Sequence, residues 1–82
     1  MLTYEEANEL VLKKYKDSHV NQTLDAGKIF IIDLEPNDLK AGTISLDGFF
    51  AVDKLTKEVS EYSPVMKPEE FKAALKKVVY KS

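Results

Sequence analysis

The chain has 82 residues, no cysteine, 12 basic and 14 acidic residues, and a formal net charge of −2. A chain of this length is expected to form one domain over residues 1–82, with a modest core. The lack of cysteine excludes disulfides, thiolate catalysis and cysteine-based metal sites. All the basic residues are lysines. Without arginine, and with an acidic balance, specific nucleic-acid recognition is not expected.

Neither a leader nor a membrane segment is predicted. The N-terminal segment of residues 2–6 is acidic, through Glu5 and Glu6, where a signal peptide is basic, and no long apolar run follows it. The longest apolar stretch, residues 29–32, is far too short to cross a bilayer. We therefore expect a cytoplasmic protein that makes no membrane contact.

The first predicted element is a helix from about Tyr4 to Asp17. Thr3 and Glu6 have the spacing of a capping box, which marks a helix start. Apolar residues then recur at helical spacing and would form the buried stripe: Tyr4, Ala7, Leu10, Val11 and Tyr15.

The next two segments differ in how clearly they predict a strand. Residues 18–27 fit a short edge strand through Val20 and Leu24, but 25–27 are typical of a turn. Residues 28–34 are rich in β-branched and aromatic side chains on both faces, which predicts a central strand.

The middle of the chain allows two interpretations. Asp47 and Gly48 separate two apolar runs, as in a two-residue hairpin, or Gly48 kinks one long strand over residues 43–53 through a bulge. Either arrangement continues an antiparallel meander. A turn at 53–57 then leads into a strand at 58–62.

A C-terminal helix is predicted after Pro68, which suits a first helical position. Its apolar stripe would be Phe71, Ala74, Leu75, Val78 and Val79. The predicted fold class is α+β: an N-terminal helix, a three- or four-stranded antiparallel meander, and a C-terminal helix packed on one sheet face. Both helices are expected on the same face.

No catalytic, cofactor or metal site is predicted. His19 is the only histidine, and it follows the predicted helix, where the helix dipole alone favours it. The glycines, Gly27, Gly42 and Gly48, are too far apart for a nucleotide-binding loop. An enzyme is therefore not expected.

Acidic residues near predicted strand ends suggest a partner-binding rim. Glu35, Asp38, Asp47 and Asp53 lie next to predicted turns. Grouped together, they would suit a basic protein partner. A hard cation is the alternative ligand for the same carboxylates.

Two adjacent phenylalanines give a second indication. Strand alternation places Phe49 and Phe50 on opposite sheet faces. Phe49 is in phase with Asp53, which favours an open face for Phe49 and the helix-covered core for Phe50. An exposed Phe49, with Tyr62, would mark a surface for binding or self-association.

The stretch from Gly48 to Val59, with the sequence GFFAVDKLTKEV, resembles a hairpin of small bacterial toxin-immunity domains of the YrhB-like kind and of PepSY-like domains. In the former, an N-terminal helix and a strand precede the hairpin and a helix follows it. Lys57 stands where that pattern has glycine, so this turn needs a positive φ at lysine or another geometry. The resemblance implies toxin sequestration. Small phage-encoded inhibitor proteins are similar in size and layout.

Together these features predict a non-catalytic protein-binding module. It would act as an inhibitor or immunity-type protein, in toxin neutralisation or phage counter-defence, by occluding a partner protein. One alternative is a regulatory domain that binds a small ligand or an ion. Another is a structural homodimer formed through the open sheet face.

Overall fold

A computed structural model of the protein describes residues 2–37 and 48–82. The elements of these residues are α1 (Tyr4–Lys14), β1 (Ser18–Asp25), β2 (Ile29–Pro36), β3 (Gly48–Asp53), β4 (Val59–Tyr62), α2 (Pro68–Ala74) and β5 (Val78–Lys81). The five strands form one antiparallel sheet in the order β4-β3-β2-β1-β5. The predicted α+β class is confirmed, with more strands than the three or four expected.

Helix α1 begins as the sequence predicts. The Thr3 hydroxyl oxygen accepts the Glu6 backbone N–H at 3.2 Å, and the Glu6 carboxylate accepts the Thr3 backbone N–H at 3.2 Å. Two free N–H groups of the helix start are thereby satisfied. The helix ends at Lys14 rather than at Asp17, because Ser18 already pairs with Pro36 in the sheet.

The segment whose structure the sequence left undecided is a full strand inside the sheet. Strand β1 lies between β2 and β5, so it is not an edge strand. Its pairing with β2 shifts by one residue between Val20 and Gln22, which places a bulge at Asn21. Strand β2 is the middle strand, which confirms the prediction for residues 28–34.

The end of the chain corrects a prediction. Helix α2 stops at Ala74, and the last part of the predicted helix is strand β5, in which Val78 faces Leu24 of β1. The backbone N–H of Asp25 donates to the Lys77 carbonyl at 2.9 Å, so this segment closes the outer side of β1. The hydrogen bonds gained by pairing with β1 outweigh the helical spacing of Val78 and Val79, since β-branched residues favour strands.

The two helices lie on opposite faces of the sheet, not on one face as expected. On the α1 face the buried residues are Leu2, Ala7, Val11, Val20, Phe30, Ile32, Leu34, Phe50 and Val52. On the α2 face they are Leu24, Ile31, Ala51, Tyr62 and Ala74. Helix α2 connects the two edge strands, β4 and β5, and crosses the face that α1 leaves open.

The turn between β3 and β4 confirms one of the two geometries expected for Lys57. Its φ is +64°, in the left-handed region that favours glycine. The Lys57 backbone N–H donates to the Asp53 carbonyl at 2.8 Å, which closes the turn. The choice between hairpin and bulged strand depends on residues 43–47, which lie outside the described residues.

Candidate functional site

The two phenylalanines point to opposite faces, as predicted. Phe50 is 7% exposed on the α1 face, and its ring centroid lies 4.7 Å from that of Tyr15. Phe49 packs against the residues of the α2 face. That face is not open, because the Phe71 ring of α2 meets Phe49 edge-on at 5.0 Å. The expectation of an exposed Phe49 is therefore wrong: α2 leaves it half-buried.

Tyr62 holds the same helix on the sheet. It is buried, and its hydroxyl donates to a Glu70 carboxylate oxygen at 2.9 Å. Burial, followed by this hydrogen bond, raises the pKa of Tyr62 to about 12. Tyr62 and Phe49 thus pack within the domain, under and beside α2.

The acidic residues proposed as a rim are not brought together where the structure describes them. Asp53 faces Ile29 at one end of β2, and Glu35 lies near the other end of that strand. At about 3.3 Å per residue, roughly 20 Å of strand separates the two carboxylates. Asp38 and Asp47 lie outside the described residues.

Asp53 has a local structural role. One of its carboxylate oxygens accepts the backbone N–H groups of Leu55 at 2.8 Å and Thr56 at 3.0 Å. These backbone hydrogen bonds lower the pKa of Asp53, because they favour its charged form. Its carboxylate organises the turn that contains Lys57.

Glu35 forms a cross-strand pair with His19. The His19 Nε2 lies 3.3 Å from a Glu35 carboxylate oxygen, and its Nδ1 lies 2.8 Å from the Asn37 side-chain oxygen. His19 sits in β1, not at a helix end as expected. Within residues 2–37 and 48–82, no three acidic or histidine side chains are grouped as a metal site requires.

An ion pair that the sequence did not indicate joins two turns. The Lys54 Nζ lies 2.7 Å from an Asp25 carboxylate oxygen and 4.5 Å from the Phe30 ring centroid. The hydrogen bond from Lys54, and then that from the Gly27 backbone N–H, lower the pKa of Asp25. No local spacing links these residues, so only the sheet register reveals the pair.

A shallow groove of about 480 Å³ lies between α1 and the start of β1. Its walls include Tyr4 and Tyr80, whose stacked rings are 6.1 Å apart, together with His19. Every buried polar side-chain atom of the described residues already has a hydrogen-bond partner. In the described residues, the groove therefore contains no buried polar side chain that would need a bound molecule as its hydrogen-bond partner.

Large apolar side chains are exposed at the end of the chain. Leu75, Val78 and Val79 are 44%, 43% and 38% exposed. They belong to residues 75–81, which we call the C-terminal edge: the turn that follows α2 and the whole of β5. Strand β5 pairs with β1 on one side, and no strand of the described residues pairs with its other side.

Other exposed apolar residues lack this combination. Leu55 is 90% exposed in a turn, and Val65 and Met66 are 87% and 80% exposed in the loop after β4. Exposed apolar side chains in loops and turns are ordinary. Among the strands of the described residues, only β5 carries large apolar side chains that are exposed.

The C-terminal edge is also strongly basic. All 14 acidic residues precede Phe71, whereas four lysines follow it: Lys72 in α2, and Lys76, Lys77 and Lys81 in the C-terminal edge. All four lysines are exposed. The surface therefore combines apolar side chains with positive charge, on a chain whose net charge is negative.

The sequence contained signals for this surface. Val78, Val79 and Tyr80 are all strand-favouring residues, and the Lys76-Lys77 pair interrupts the apolar pattern just before them. The helical stripe that begins at Phe71 continues through both valines, and this pattern predicts a core position for residues that the structure places at the surface.

No helix in residues 2–37 and 48–82 has the length and apolar character needed to span a membrane. A scan against protein-family models found no match, and neither did searches of curated proteins and of solved structures.

Proposed function

We propose that the protein is a non-catalytic protein-binding module, an inhibitor or immunity-type protein that acts by covering a surface of its partner. The observation that supports this proposal is the C-terminal edge, where Leu75, Val78 and Val79 are exposed beside the free side of β5. Covering such a surface with a partner is favourable, because apolar area leaves water.

The opposite edge of the sheet is different. In β4, Ser60 and Glu61 are exposed, so this edge is polar and carries negative charge. Charged and polar edge residues are a common protection against pairing with other chains. The apolar exposure is thus specific to the β5 side of the described sheet.

The finer assignment, toxin neutralisation or phage counter-defence in the cytoplasm, draws on the resemblance of residues 48–59 to the immunity-type hairpin. The left-handed Lys57 supports it, since lysine here adopts the conformation that glycine provides in that pattern. The partner's charge needs revision. The lysines of the C-terminal edge favour an acidic partner over the basic one expected from the sequence.

Co-purification from native cells, with mass spectrometry, tests the proposal. Tagged wild-type protein is expected to retain a stoichiometric partner, and Leu75→Ser/Val79→Ser is expected to lose it. Leu55→Ser is the control, because it removes a large exposed side chain from a distant turn. If no stoichiometric partner appears under several conditions, or if both variants retain it fully, the proposal is wrong.

The groove beside α1 favours a second candidate, a regulatory domain that binds a small ligand. Tyr4, His19 and Tyr80 offer both stacking and hydrogen-bonding groups there. A thermal-shift screen with metabolites and divalent metals tests this function. A ligand at a hundred times its dissociation constant should add about 2.7 kcal/mol to the free energy of unfolding. The absence of any shift would leave the protein-binding proposal as the only candidate.

A further inference from the structure

We infer that the C-terminal edge binds an extended, acidic segment of a partner protein, which joins the sheet as a new strand beside β5. This inference rests on the proposed protein-binding function and specifies the chemistry of the partner. It is carried by three features of the same residues: a strand side that no other described strand pairs with, exposed valines and exposed lysines.

Among the described residues, the backbone of β5 pairs with another strand on one side only. The Lys77 carbonyl accepts the Asp25 N–H at 2.9 Å, and the Ser82 N–H donates to the Asn21 carbonyl at 3.0 Å, both toward β1. Strand β5 itself pairs with β1 through Val78, Tyr80 and Lys81, with a register shift at Val79. Because backbone groups of an antiparallel strand alternate in direction, about half of those of β5 point toward β1 and the other half point away from it. An added strand would form hydrogen bonds with the groups that point away, as in other cases of strand addition.

The side chains select an acidic segment that also carries apolar residues. Lys76, Lys77 and Lys81 flank Val78 and Val79, and no acidic side chain lies among residues 75–81. A strand that alternates carboxylates with β-branched residues would meet both kinds of side chain. Opposite charges across neighbouring strands are favourable, whereas like charges are not.

The same charges disfavour other occupants. If a second copy paired antiparallel through β5, the lysines at 76, 77 and 81 of the two chains would face one another. Nucleic acid would suit the lysines, but it would leave Val78 and Val79 without apolar contact, and the chain has no arginine to read bases. A protein strand satisfies the backbone, the valines and the lysines together.

Fluorescence anisotropy with labelled peptides tests this inference. The probe is a short peptide of alternating glutamate and valine. One control replaces every glutamate with lysine, and a second N-methylates alternate amides to remove the hydrogen-bond donors. We expect the acidic peptide to bind at least about tenfold more tightly than either control, and more weakly as salt increases. Equal binding of the acidic and N-methylated peptides would overturn strand addition.

A pair of charge-matched variants locates the binding site. Lys76→Glu/Lys81→Glu should weaken binding of the acidic peptide by about tenfold or more, and should improve binding of the lysine peptide. Lys13→Glu/Lys16→Glu makes the same charge change at exposed positions on and after α1. The control should bind like the wild type, with circular dichroism melting confirming that both variants are folded. Equal losses in the two variants would mean that net charge alone attracts the peptide.

Three further measurements separate the alternatives. The inference would be overturned if the protein bound duplex DNA or phosphatidylserine vesicles more tightly than the acidic peptide. It would also be overturned if light scattering gave the mass of a dimer and Val79→Glu reduced that mass to a monomer's. A native partner that is lost with Leu75→Ser/Val79→Ser, although no acidic peptide binds, would remove strand addition and leave the protein-binding function intact. If Leu75→Ser/Val79→Ser retains the native partner as fully as the Leu55→Ser control does, both strand addition and the proposed protein-binding function are contradicted.

Discussion

The two faces of the sheet differ in how completely they are covered. The α1 face is covered by a capped helix of 11 residues, and its buried set runs from Leu2 through β1, β2 and β3. The α2 face is covered by a helix of 7 residues without a side-chain cap, which contributes one buried residue, Ala74. Beyond that helix the C-terminal edge is exposed.

This difference suggests a division of roles. Burial of apolar area is the main source of stability in a small domain, so the α1 face should carry most of it. The α2 face holds Phe49 and Tyr62, which the sequence suggested as binding residues, and packs them within the domain. The residues left for a partner are those that the sequence assigned to the core.

The largest expected effect separates the two faces directly. Phe50→Ala removes a ring that is 7% exposed and lies 4.7 Å from Tyr15, and it should lower the free energy of unfolding by about 3–5 kcal/mol. That loss approaches the whole stability of a small domain, so urea unfolding should show little folded protein. A fully folded Phe50→Ala variant with an unchanged urea midpoint would mean that the α1 face is not the main core.

On the α2 face, Phe49→Ala should cost less than Phe50→Ala, because Phe49 is only half-buried. It should not be silent, since its ring meets Phe71 edge-on at 5.0 Å. A double-mutant cycle of Phe49→Ala and Phe71→Ala should give a coupling energy of about 0.5–1.5 kcal/mol. Strict additivity would show that the two rings do not interact in solution.

Acid should weaken the connection between the turns at one end of the sheet. The lowered pKa of Asp25 stabilises the fold fully above the ordinary value of 3.8 and loses this effect as pH falls through the lowered pKa. Asp25→Asn should therefore be less stable than wild type near neutral pH, by up to about 1 kcal/mol, and the difference should shrink in acid. Urea unfolding at several pH values measures it. A constant difference at every pH would exclude the ion pair with Lys54 as its source.

The smallest effect is expected at the C-terminal edge. A helix stripe docked on the sheet would make Leu75→Ala as costly as a core change, but Leu75 is 44% exposed. Its loss should cost less than about 1 kcal/mol, in line with surface substitutions. Ile31→Ala, at a residue with 0% exposure, is the control and should cost about 2–5 kcal/mol. Equal costs would place Leu75 in the core after all.

Features set by neighbouring residues could be predicted from the sequence. The capping box of Thr3 and Glu6 and the alternation of Phe49 and Phe50 each depend on a few consecutive positions. The turn at Lys57 is also local, although the sequence left two geometries open there. Such local features do not depend on how distant segments of the chain pair with one another.

Features set by distant pairing could not be predicted in the same way. The spacing of Val78 and Val79 fits a helix. They form a strand because it can pair with the side of β1 that β2 does not occupy. The contact of Lys54 with Asp25 exists only in the register of the folded sheet. The exposed surface at the end of the chain follows from the same non-local pairing.

The most direct test is an amide NMR titration of the protein with the alternating glutamate–valine peptide. The account predicts that the largest chemical-shift changes fall on residues 78–81, with smaller ones on the adjoining β1 and none on β4. Amide protons of β5 that point away from β1 should also become protected from exchange. Changes centred on β4 or on α1, or no changes at all, would contradict the claim that the free side of β5 is the binding surface.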